Sequence, residues 1–139
     1  MDRIDLAVDV PAVSAADLSL PAPSEGSAEV AARVAVARQI QIDRAQAEGD
    51  AAAAPLNARA GGAWLEVITA LDPPAKALLT RAAEAGGLTA RGWSRTLRLA
   101  RTIADLEGAG AVKRVHVAEA LIYRRVGSLN AGRGGAGAL

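Results

Sequence analysis

Between Leu88 and Leu106, apolar and arginine side chains fall on opposite sides of a 3.6-residue period, and this stretch commits the chain to a helical fold. Arg91, Arg95, Arg98 and Arg101 follow one another at i, i+4, i+7 and i+10, while Trp93, Leu97, Ala100 and Ala104 take the other side. Thr89 stands where a hydroxyl can accept from the first free helical N–H groups, and Gly108 to Gly110 close the segment. Leu88 and Trp93 have the spacing of a hydrophobic staple, which fixes how the chain enters the helix. Such a helix can bury one face in a small bundle and present a row of guanidinium forks to phosphate oxygens. A solvated arginine face is the simpler reading of the same spacing.

The composition predicts a thin, helical core. Alanine is abundant, phenylalanine is absent, and Trp64, Trp93 and Tyr123 supply all the aromatic area. Sixteen basic against fifteen acidic side chains leave almost no net charge, so any phosphate binding is local and not the work of a whole-domain positive field. With no cysteine and a single histidine, His116, a Cys/His zinc site and cysteine-nucleophile chemistry are excluded. No apolar run approaches the length of a membrane span and no secretory signal pattern opens the chain, so the expectation is a soluble, cytoplasmic protein without a membrane partner.

Three regions follow. Residues 1–26 read as an extended arm and linker: Ile4 to Val10 alternates loosely like a short strand, and Pro11 to Gly26 is rich in Pro, Ser and Ala. No second convincing strand exists to pair with the first, which leaves its ladder unmet. Residues 27–125 read as an all-α domain, a small bundle of three or four helices. The first is capped by Ser27 and carries an apolar line of Val30, Val34 and Ala37. Trp64 to Ile68 is a short apolar piece of undetermined type. Asp72-Pro73-Pro74 starts a helix with Ala77, Leu78 and Ala82 inward, ending at Gly86-Gly87. The last helix runs from about Val115 to Arg125 with Val117, Ala120 and Leu121 on its apolar side. Residues 126–139 are rich in Gly and Ala and read as a disordered tail.

Leu88-Thr89-Ala90-Arg91-Gly92-Trp93, the run Ala100-Arg101-Thr102-Ile103-Ala104-Asp105-Leu106, and His116-Val117-Ala118-Glu119-Ala120-Leu121-Ile122-Tyr123-Arg124 together resemble the C-terminal region of the magnesium-chelatase-like AAA+ ATPases, a group that includes the ComM-type competence proteins. Further matches occur in the same order upstream: Asp2-Arg3-Ile4-Asp5-Leu6, Ser27-Ala28-Glu29-Val30 with Arg33-Val34 and Ala37-Arg38, and Leu56-Asn57-Ala58. The likeness covers about residues 2 to 125. The tract Asp50 to Ala54 and the segment Gly61 to Val67 fit the pattern poorly.

The resemblance implies a helical lid that closes over the nucleotide of a preceding ATPase core. It implies that Arg91 matches the sensor-2 arginine, which reaches toward the γ-phosphate of ATP, and that Arg3 matches a candidate arginine finger for the neighbouring ring subunit. Both roles suit a permanently charged, bidentate donor. ATP and Mg²⁺ are implied for the parent protein, and none is expected on this chain alone. No G-x-x-x-x-G-K-[ST] loop is present and no acidic Mg²⁺-binding pair precedes Arg3, so the chain is expected not to hydrolyse ATP by itself. With the orphan strand, this reads as a fragment whose partners are a missing core and neighbouring ring subunits, monomeric in isolation.

Other chemistry finds little support. His116 lacks the partners that base catalysis requires and reads as a capping or packing residue. Asp2, Asp5 and Asp9 lack the glycine and glutamate positions of a calcium loop and read as a solvated face. Trp93 lies opposite the arginines, which suits core packing better than base stacking. Nothing in the sequence could hold a porphyrin, despite the chelatase name. The favoured reading is therefore an ATPase lid in a motor acting in DNA recombination. One alternative is a stand-alone helical module binding DNA backbone through Arg95, Arg98 and Arg101, with Arg124 and Arg125 nearby; another is a plain helical module for a protein partner.

Overall fold

Short capping signals divide an alanine-rich chain into helices, and the computed structural model describes residues 5–21, 24–47, 56–86 and 88–133. Five α-helices form among the described residues: α1 (Ser27–Ala47), α2 (Gly62–Ile68), α3 (Pro73–Glu84), α4 (Ala90–Leu106) and α5 (Arg114–Arg133). Single 3-10 turns occupy Asp17–Ser19 and Asn57–Arg59. The all-α class expected from the sequence is what forms, with the undetermined Trp64 to Ile68 piece supplying the short extra helix α2.

The predicted caps explain where α3 and α4 begin. The Asp72 carboxylate accepts from the Ala75 N–H at 2.7 Å with a proline in the first turn. Thr89 Oγ1 accepts from the Gly92 N–H at 3.0 Å. Gly86 (φ 73°) and Gly108 (φ 72°) turn the chain out of α3 and α4 in the left-handed region. At α1 the cap differs from expectation: Ser27 is the first helical residue, and the Glu29 side chain reaches back to the Gly26 N–H at 2.9 Å. His116 does cap. Its Nδ1 accepts from the Lys113 N–H at 2.9 Å at the head of α5, which leaves Nε2 to donate to the Glu107 carboxylate.

α4 is the hub, packing on α5, α1, α2 and the Asn57 turn, while α3 packs on α5. The core joins Leu65 and Ile68 of α2, Ala75 and Leu79 of α3, Leu97, Ala100 and Ala104 of α4, and Val117, Ala120 and Leu121 of α5. Ala75, Ala100, Ala104 and Ala120 are sealed completely from solvent. Small side chains at these contacts take the place of the missing phenylalanines by letting helices approach closely. A lone parallel bridge, Leu71 to Val112, ties the α2–α3 connection to the α4–α5 turn.

Several inward assignments change. In α3 the buried line is Ala75 and Leu79, with Leu78 and Ala82 of the predicted face half-buried against the core and Ala77 exposed, because the side facing α5 is rotated about a quarter turn from the predicted one. In α1 only Ala37 of the predicted line is buried, joined by Gln41 and Ala45; Val30 and Val34 stay exposed since α1 outruns the helices it packs against. Residues 5–10 form no strand. Among the described residues the arm meets α5 through the hydrogen bond from Ala7 N–H to Tyr123 O at 3.2 Å. Helix α5 extends to Arg133, past the predicted end near Arg125, and residues 134–139 lie outside the described residues.

Candidate functional site

The four arginines of α4 do not form one exposed row. A helical wheel fixes their angles about the axis, but α1, α2 and the Asn57 turn wrap the side on which three of them lie. Arg101 is 1% exposed: Nη1 donates to Gly110 O at 2.9 Å, Nη2 to Ala109 O at 2.6 Å and Nε to Asp105 Oδ1 at 3.0 Å. Burial pushes its guanidinium below the usual arginine value; the Asp105 carboxylate opposes that shift and nearby Arg44 adds to it. Arg98 is half-buried and donates from Nε to Ala60 O at 2.6 Å. Arg95 is also half-buried, with Nε 2.9 Å from Asp5 Oδ1 of the arm. Arg101, sealed from solvent, cannot join a phosphate-facing row, and Arg95 and Arg98 each turn one donor to an intramolecular acceptor.

Arg91 stands apart. It is exposed in the first turn of α4 and makes no hydrogen bond or ion pair with a described residue. Around it the N-terminus of α4 carries the partial positive charge of its free N–H groups. Arg124 of α5 comes to the same place: a Cβ built on Gly92 would sit 3.0 Å from Arg124 Nη2 and 3.3 Å from Thr89 Oγ1. Glycine at 92 gives the guanidinium room to lie against the helix. Arg95 and Arg124 thus lie along the first two turns of α4, where Arg91 is exposed, with the Asp5 carboxylate against Arg95. An arrangement of this kind favours an oxyanion, and phosphate is the biological oxyanion that guanidinium forks match. Arg3, the second arginine singled out by the resemblance, and Asp2 lie outside the described residues, as does Arg125 as a side chain. No group of three or more His, Asp or Glu side chains among the described residues is placed to hold a metal ion.

A family model described as the C-terminal region of the magnesium chelatase subunit ChlI matches residues 24–124. The chain belongs to this family. Its matched region starts just before α1 and ends at Arg124, so it contains the bundle and the whole arginine cluster except Asp5. The competence protein ComM of Haemophilus influenzae is 34% identical over 125 residues, covering 89% of this chain and 23% of that protein. The uncharacterized protein YifB of Salmonella typhimurium is 35% identical over 130 residues, 93% of this chain and 24% of its own length. YifB of Escherichia coli is 32% identical over the same length. The chain therefore spans about a quarter of the length of the curated relatives it matches. Among the described residues, no helix is long and apolar enough to cross a membrane.

Away from the start of α4, this bundle of the magnesium chelatase C-terminal family holds a buried polar cluster that spacing alone does not single out. Asp105 Oδ2 accepts from Asn57 Nδ2 at 2.7 Å and from Arg44 Nη1 at 3.2 Å, and Oδ1 accepts from Arg44 Nη2 and from Arg101. The Asn57 N–H donates to Gln41 Oε1 at 3.2 Å, and its amide also reaches Thr102 Oγ1 at 3.1 Å. Two signals for the cluster were present: the i, i+4 spacing of Arg101 and Asp105, and the Leu56-Asn57-Ala58 triplet within the family likeness. The partners Arg44 and Gln41 come from a different helix and carry no local signature.

Proposed function

We propose that this chain acts as the helical lid of a magnesium-chelatase-like ATPase, with Arg91 serving as the arginine that meets the terminal phosphate of ATP held by a preceding core. The observation that carries the reading is the contrast within α4: Arg95, Arg98 and Arg101 are committed to intramolecular acceptors, whereas Arg91 projects from the positive end of the helix. A guanidinium there can bind two phosphate oxygens at once and strengthen its hold as charge develops in phosphoryl transfer. Arg124 and Thr89 support the site by shaping the helix end beside it. ATP with Mg²⁺ would be held by the core, which supplies the chemistry, while this chain supplies the sensing arginine and the motion of a rigid bundle. Arg3 as an arginine finger rests on the motif match alone. The similarity to the competence protein ComM points to a parent motor working on DNA.

The test transplants residues 24–124 into the C-terminal region of the Haemophilus relative and compares ATP turnover with and without Arg91→Ala. Turnover should fall at least about a hundredfold on losing a donor to developing phosphate charge. Turnover unchanged by Arg91→Ala in an active chimera would overturn the assignment. DNA retention by the chimera should survive Arg95→Ala/Arg98→Ala; its loss across a salt series would instead favour backbone binding by those two residues.

A further inference from the structure

Residues 5–7 of the arm are pinned to the bundle at two points on two different helices. Asp5 Oδ1 lies 2.9 Å from Arg95 Nε in the second turn of α4, and the Ala7 N–H donates to Tyr123 O of α5 at 3.2 Å. Among residues 5–21 and 24–26, Ala7 alone is not exposed. Two residues of extended chain cover about 7 Å, close to the about 8–10 Å between packed helix axes. Contacts to both helices fix the direction of the segment as well as its place, where a single contact would let it swivel.

The Asp5–Arg95 pair differs from an ordinary surface pair. Exposed pairs contribute little, because water readily replaces either partner. The Arg95 side chain is only 14% exposed, and its Nη1 is buried with no hydrogen-bond partner. Water is kept from most of this guanidinium, so Asp5, itself 55% exposed, supplies a counter-charge that solvent replaces poorly. Downstream of the clasp, residues 8–26 span up to about 60 Å when extended, and connectivity into α1 therefore does not orient the bundle. The clasp at residues 5–7 does.

We propose that Asp5 and Arg95 are positioning residues. Their pair fastens the segment leading out of the preceding ATPase core onto α4, one turn from Arg91, and so sets where Arg91 stands relative to the nucleotide of that core. The assignment rests on the lid reading above and adds the route: orientation passes through residues 5–7 and not through the connection into α1.

The clasp is tested on the 139-residue chain itself. Protection of the Ala7 amide from hydrogen exchange should exceed that of Val8 at least about tenfold. Asp5→Asn, which removes the charge at nearly constant size, should erase the difference, and Asp5→Glu should keep it. Positioning is tested in a chimera carrying residues 2–124 in the Haemophilus relative. Asp5→Asn and Arg95→Gln should each lower kcat about tenfold, with KM for ATP held within about twofold, because the core binds ATP and Arg91 acts on developing charge. Neither should add to Arg91→Ala, since a misplaced arginine and an absent one fail alike. Equal protection at Ala7 and Val8, or protection that survives Asp5→Asn, would overturn the clasp. Unchanged kcat in Asp5→Asn where Arg91→Ala lowers it, or losses that add to Arg91→Ala, would overturn the positioning role and leave the lid reading standing. Turnover indifferent to Arg91→Ala would remove the lid reading and the positioning role together, while exchange at Ala7 still decides the clasp.

Discussion

Arg101 and Asp105, one turn apart on α4, form an ion pair with Nε to Oδ1 at 3.0 Å and side chains 1% and 0% exposed. The pair does not stand alone in the interior. Arg44 and Asn57 bring further donors to the carboxylate, while Arg101 spends its remaining donors on backbone carbonyls of the α4–α5 turn. The geometry meets the condition under which a buried pair holds its place: every charged group has a partner, and the remaining lone pairs are satisfied.

Removing the shared acceptor should therefore be severe. Asp105→Ala leaves two cations facing one another without a counter-charge and is expected to lower stability by about 3–5 kcal/mol. Urea denaturation followed by circular dichroism measures this directly, and a loss under about 1 kcal/mol would mean that water replaces the carboxylate.

Asn57 links the 3-10 turn to both α1 and α4, so Asn57→Ala should cost about 1–3 kcal/mol by orphaning buried partners. Asn57→Asp should be worse than alanine, because it sets a second carboxylate beside Asp105. The order of the two urea midpoints is the readout.

Gly92→Ala brings opposing effects together. Alanine favours a helix over glycine by about 1 kcal/mol, but the new methyl presses on Arg124 Nη2 at 3.0 Å. The guanidinium is the far end of a flexible side chain and moves aside, so stability should stay within about 1 kcal/mol of the parent. The Arg124 side-chain NMR signals should shift all the same, and a large drop in stability would show that Arg124 has nowhere else to go.

Asp17 predicts a local pH response. Its carboxylate accepts from the Ser14 hydroxyl at 2.6 Å and from the Ser14 N–H at 2.8 Å, and these bonds hold it below the ordinary value of 3.8. A depressed folded value means the turn has its full contribution above the ordinary carboxylate range and loses it as pH falls through the depressed value. The Ser14 amide resonance should follow that titration, and Ser14→Ala should return Asp17 toward 3.8.

Sequence patterns carried the helix starts well, because Asp72-Pro73 and Thr89 act on N–H groups within three residues. They carried the family equally well, since the Arg101 to Leu106 run and its flanks are continuous in the chain. For the α4 arginines, periodicity states an angle and not which neighbours occupy that side. Arg44 lies 61 positions from Asp105, and no local pattern anticipates their meeting. Helix α2, seven residues long, spans too few turns to show a period. Val30 and Val34 share the apolar spacing of a core stripe, and spacing cannot tell a covered stripe from one that overhangs its support.

That overhang gives α1 the mechanics of a cantilever. Arg44 clamps one end to the rigid centre through Asp105, while the ten residues from Ser27 to Val36 extend free for about 15 Å. A small rotation about that clamp would be carried outward along these ten residues, growing with distance from Arg44.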